Sequence, residues 1–253
     1  MNLQRLLLIA FLLLGATGIW SQNRIQINIP TVEEETQYIW RNIQDISFFE
    51  QHNYALSLPP GSLLEQLKNK AKNNQLRQED YEELLDLMRN EVYDSRDYQD
   101  GYQKIEDQRD LINKMINRID KCKRDWPFKA FDTYQINLTL YGPGGSYHPD
   151  DGSILIFTTP QGQFKQYDNP ANTIIHEMIH IGIEASIIQQ LKVPHPLKER
   201  IVDLYVQLNF HKELPDYRIQ NMGDKRIDQY LNKKKQLKHL HQIIETFMKE
   251  NQQ

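Results

Sequence analysis

The stretch from Thr173 to Ile188 most constrains what this chain can become. Thr173, Ile174, Ile175, Met178, Ile179, Ile181, Ile183, Ile187 and Ile188 give it the composition of a buried helix, yet it also carries His176, Glu177 and His180. Burying such groups without partners costs roughly 1–3 kcal/mol each, and more for a charge, so the fold has to supply partners. Residues four apart share a helix face, so both imidazoles can address one Zn²⁺ about 2.0–2.1 Å from each ring nitrogen. Glu177 lies about 100° round the helix, where its carboxylate can act as a base toward water at such a site. The segment has its own start signal, because Asn169 can cap it and Pro170 suits the first helical position.

A zinc site needs a third protein ligand. Glu184 follows His180 by four, but it lies about 12 Å along the rod from His176, too far for three side chains to converge. Downstream, Pro196-Leu197-Lys198-Glu199-Arg200-Ile201-Val202-Asp203-Leu204 reads as a second, Pro-initiated helix with two acids four apart, and Glu199 stands nineteen positions beyond His180. With these residues the chain resembles the gluzincin group of zinc metallopeptidases, whose pattern is HExxH, a gap of about eighteen to nineteen residues, then a Glu ligand with an Asp one turn later.

The resemblance implies a zincin-like core with Zn²⁺ held by His176, His180 and Glu199. It further implies Glu177 as general base and Asp203 hydrogen-bonded to the His176 ring to hold its metal-binding tautomer. It covers the interval from about residue 153 to Asp203. The family also supplies a Tyr or His for the oxyanion; His211, Tyr217 and His195 are candidates, whereas Tyr205 points away from the face of Glu199. A metzincin would need Gly and His where Ile183 and Ser186 stand, and a deformylase would need a cysteine ligand in a setting unlike that of Cys122. The expected activity is peptide-bond hydrolysis. Two other readings are a zinc hydrolase of a non-peptide amide or ester, and a non-catalytic exported zinc-binding protein. Glu177 disfavours the second, since a structural zinc takes a fourth protein ligand and has no use for a base.

The amino terminus says where this chemistry takes place. Arg5 precedes the apolar run Leu6 to Leu14 and the small residues up to Ser21, so residues 1–21 read as a secretory signal peptide, too short in its apolar part to span a bilayer comfortably. The expected protein is exported, periplasmic or secreted, with no stable membrane span once the signal is removed. A lone cysteine, Cys122, allows no internal disulfide, so an exported chain of this kind relies on its core. Net charge of -4 gives no overall attraction to nucleic acid. The basic run Lys233-Lys234-Lys235 and Lys238, expected on a last helix over residues 225–249, lacks interleaved aromatics and reads as a solvated face.

Residues 22–125 read as an N-terminal helical region and 126–253 as the zincin-like catalytic region, and the two can form one compact unit. Pro59-Pro60-Gly61 separates the first helices, with Ser62 and Glu65 as an expected capping box. Asp100 to Arg124 is expected to be helical, with one apolar face. Residues 134–141 alternate and 153–158 are β-branched and aromatic-rich, so both read as strands, joined by the glycine-rich Gly142 to Gly152 in a hairpin-like connection. By resemblance, residues 153 to 158 are the edge against which an extended peptide substrate lies. The expected class is α+β, predominantly helical, with a short antiparallel β layer.

Overall fold

The computed structural model describes residues 23–164 and 169–251. The expected signal segment, residues 1–21, lies outside the described residues. Most of the described chain is helical, and no helix in it is long and apolar enough to cross a membrane.

Four short strands form a mixed sheet. In chain order these are β1 (Ile25–Asn28), β2 (Tyr134–Thr139), β3 (Ser146–His148) and β4 (Ser153–Phe157), and their spatial order is β1-β2-β4-β3. β1 pairs parallel with β2, and β2 parallel with β4; only β3 runs antiparallel to its neighbour β4. The expected antiparallel layer is thus mostly parallel, and Gly142 to Gly152 does not join β2 and β4 as a hairpin. That segment carries the chain back so that β4 starts beside the start of β2, and it includes β3, which turns onto β4 where Gly152 N–H donates to His148 O at 3.2 Å. Gly152 has φ 73, which glycine adopts without strain. A second correction follows from the strand order. Residues 153–158 are not an edge, because β4 is flanked on both sides; the edge on that side of the sheet is β3.

Between β1 and β2 run α1 (Val32–Gln44), α2 (Ile46–Gln51), α3 (Ser62–Lys72), α4 (Gln78–Leu87), α5 (Gln99–Asp107) and α6 (Arg109–Asp120). α1, α3 and α4 bury Ile39, Trp40, Ile43, Leu64, Leu67 and Leu84 among themselves, each helix burying one apolar face. Thr31 and Glu34 form a capping box at the start of α1. The box expected at Ser62 does not form: Gly61 occupies the cap position with φ 140, and Ser62 is already inside the helix. The buried Glu35 carboxylate ties α1 to the sheet, accepting from Tyr98 Oη at 2.9 Å, Thr139 Oγ1 at 3.0 Å and Leu140 N at 2.9 Å. The single helical stretch expected over 100–124 is two helices broken at Gln108. There the Gln108 side chain accepts from Ala171 N at 3.3 Å, so the break serves the start of the next helix.

That helix is α7 (Pro170–Ile183), and every residue in it except Thr173 is buried. Asn169 caps it by accepting from Ala171 N at 3.1 Å, with Pro170 at the first position. A helix apolar on every side has to be covered on every side: β3 and β4 pack on it, as do α5, α6 and α8 (His195–Phe210). The main core therefore joins Ile25, Tyr98, Ile112 and Ile116 from before residue 125 to α7 and α8 after it. The basic C-terminal stretch is not one helix. It comprises α9 (Ile227–Tyr230), a 3₁₀ segment (Lys234–His239) and α10 (Leu240–Asn251), because Leu231 and Leu237 turn inward to the core. The Gln236 side chain accepts from the Asn232 and Lys233 amides at the break, and Lys233, Lys234, Lys235 and Lys238 face solvent.

Candidate metal centre

His176 and His180 lie one turn apart on α7, and Glu199 enters from α8, which packs against it. Their ligand atoms converge. The two Nε2 atoms are 3.0 Å apart, and Glu199 Oε2 is 3.3 Å from each. Atoms held about 2.0–2.1 Å from a tetrahedral centre stand about 3.3 Å from one another, so the triangle has nearly the size of one face of a zinc site. Two imidazole nitrogens and a carboxylate oxygen aimed at one point repel unless cation or proton stands among them. The set suits Zn²⁺ in donor type and in geometry.

The surroundings orient one histidine closely. His176 Nδ1–H donates to the Tyr217 hydroxyl at 2.6 Å, and that hydroxyl donates to Asp203 Oδ1 at 2.6 Å. Asp203 Oδ1 is itself 3.3 Å from Nδ1, and its other oxygen accepts from Gln220 N at 2.7 Å. A proton on Nδ1 leaves Nε2 with its lone pair toward the cluster.

Burial and the neighbouring groups compete in setting the titration of these residues. Burial pulls His180 down to about 4, so that ring stays neutral and able to ligate. Burial also acts downward on His176, but bonds to Asp203 and Glu199 outweigh it and raise the ring to about 10. For Glu199 burial acts upward and the two histidines prevail, holding the carboxyl below its ordinary range. A metal ion entering at this point would compete with protons for the same ligand atoms.

Glu177 faces the same cleft, which has a volume of about 470 Å³ and is walled on its far side by Tyr38, Phe48 and Phe49 of α1 and α2. Burial pushes its carboxyl up to about 7. The glycine-rich loop presses close: a Cβ on Gly145 would stand 2.5 Å from Glu177 Oε1 and 2.6 Å from Thr173 Cγ2. Ser146 and Tyr147 of the edge strand β3 also line the cleft.

Of the oxyanion candidates, Tyr217 has its hydroxyl engaged by His176 and Asp203. His195 lines the cleft, with Nε2 at 2.9 Å from Tyr54 Oη and Nδ1 at 3.6 Å from Glu199 Oε1. His211 is exposed just beyond the end of α8, and Tyr205 is buried against Arg124. Sequence reasoning missed Tyr147, Lys198 and Gln220, whose side-chain amide reaches Glu199 Oε2 at 3.4 Å. No spacing rule marks Tyr147 and Gln220, since β3 and the segment after α8 come to the centre only through the fold, and Lys198 is marked only by standing beside Glu199 on α8. Comparison of the chain with models of known protein families, with curated proteins and with solved structures finds no match. The chemistry of the site therefore rests on its own residues.

Proposed function

We propose that this protein is an exported zinc-dependent peptidase with a gluzincin-type centre in a zincin-like core. The observation that carries the reading is the convergence of His176, His180 and Glu199 on one point, with Glu177 beside them in an open cleft. Zn²⁺, when bound, would polarise the scissile carbonyl and lower the pKa of the attacking water toward about 7. His176, His180 and Glu199 would hold the metal, while Asp203 and Tyr217 keep His176 in the required tautomer. Glu177 would take a proton from the water and deliver it to the leaving amine. A peptide substrate, rather than a small amide or ester, suits a cleft bordered by an unpaired strand edge, because β3 can offer backbone hydrogen bonds to an extended chain. The apolar run at residues 6–14 supports export.

The test is elemental analysis of the purified mature chain together with cleavage of a diverse peptide library, with and without a chelator. One zinc per chain and chelator-sensitive peptide cleavage are expected. A chain that holds zinc but cleaves no peptide would return the reading to a non-peptide hydrolase or a binding protein.

A further inference from the structure

His180 differs from His176 in how its ring is held. Its Nδ1 is buried and has no hydrogen-bond partner among the described residues, although ligating histidines almost always use their second nitrogen to fix the ring. The last torsion of a histidine is broad, so an imidazole without such a bond keeps its plane only through packing. Here the packing is specific. The Tyr147 ring lies face to face with the His180 ring, centroids 4.8 Å apart and planes within 6°.

The tyrosine is in turn anchored at its tip. Its hydroxyl donates to Glu184 Oε2 at 2.7 Å and accepts from Lys198 Nζ at 3.0 Å. Glu184 follows His180 by one helical turn, and Lys198 precedes Glu199, so the phenol is pinned to the two segments that present the candidate ligands. The ring also belongs to β3, the sheet edge at the cleft.

We propose that Tyr147 is a positioning residue for the metal centre: its ring fixes the plane of His180 so that Nε2 points into the ligand cluster. The stack does for His180 what the Tyr217 and Asp203 bonds do for His176. This inference rests on the zinc reading above. A ring rotated out of plane would strike the tyrosine face, and without that face nothing hydrogen-bonded to Nδ1 would return it.

The full mature chain, its Tyr147→Phe variant and its Tyr147→Leu variant would be titrated with zinc against a chromophoric chelator, and their Co²⁺ forms compared by visible absorption. Tyr147→Phe keeps the stacked face and should bind zinc within about threefold of the parent, with an unchanged Co²⁺ spectrum. Tyr147→Leu should lose about tenfold or more in affinity, the range seen when a ring-orienting partner is removed, and its Co²⁺ bands should shift. A folded Tyr147→Leu chain with parental affinity and spectrum overturns the proposal, as does an equal loss in both variants, which would assign the effect to the hydroxyl. Should leucine prevent folding, Tyr147→Met is measured in its place with the same two outcomes. A parent that binds no zinc overturns the zinc reading and this proposal together, whereas equal binding by parent and leucine variant removes Tyr147 alone.

Discussion

The carboxylate of Asp203 stands 3.3 Å from Nδ1 of His176 on a different helix, and Tyr217 closes the gap by accepting from the ring and donating to the acid. Two groups thus orient one imidazole. Asp203→Ala should lower zinc affinity by about 10–100-fold, and Tyr217→Phe by less, because the acid remains within reach of the ring. Chelator competition measures both. Parental affinity in Asp203→Ala would remove its orienting role.

Glu177→Gln keeps the size of the side chain and all three candidate ligands while removing the base. Zinc content should match the parent, and the rate of peptide cleavage should fall by about 10²–10⁴-fold. Parental cleavage would show that Glu177 is not the base. Loss of zinc would instead make the carboxylate part of the metal shell.

Gly145 lies close against the base. A methyl group there would need the space now held by Glu177 Oε1 and Thr173 Cγ2, so Gly145→Ala should displace the carboxylate or the loop. Cleavage should drop by about tenfold or more, since small misplacements at a reacting centre are costly, while zinc stays bound. At Gly61 a Cβ meets open space, although the φ of 140 strains any other residue. Gly61→Ala should therefore lower thermal stability and leave cleavage at the parental rate, as the control. Unchanged cleavage in Gly145→Ala would mean the loop yields freely.

Glu35 provides a pH test away from the metal centre. Burial raises its carboxyl above the ordinary value although three donors bind it. The folded chain therefore keeps its proton in a window where the unfolded chain has released it, so this group's contribution to stability falls as pH rises through that window. All three donors meet Oε1, which glutamine retains, so Glu35→Gln should keep the bonds without the buried charge. Its stability relative to the parent should increase from acidic to neutral pH and then level. Urea denaturation at pH 4 and pH 8 checks the sign; a gap that shrinks on going to pH 8 refutes it.

The most local features were legible in the residues alone. The capped, apolar start of α7 at Asn169 and Pro170 depends on hydrogen bonds within one turn, and the helical spacing of His176 and His180 depends only on pitch. Glu199 and Asp203 could be picked out only through the resemblance to the HExxH-plus-Glu pattern, because two acids four apart on a helix more often mark a solvated face. Local patterns misled where neighbours decide: Ser62 lost its cap position to Gly61, and the 100–124 helix broke at Gln108 to reach Ala171.

Pairing and proximity were decided by the tertiary structure. Strand alternation reports which side chains face the core, but it carries no information on which strand lies beside which, so β4 proved interior and β3 became an edge. The same holds at the centre. Tyr147 and Tyr217 lie far along the chain from the histidines they touch, and Gln220 lies beyond the end of α8 from the Glu199 it meets; they reach these groups only because β3 and the segment after α8 fold back onto α7 and α8. Periodicity reports the helix that presents a ligand; only the packed chain determines what holds that ligand still.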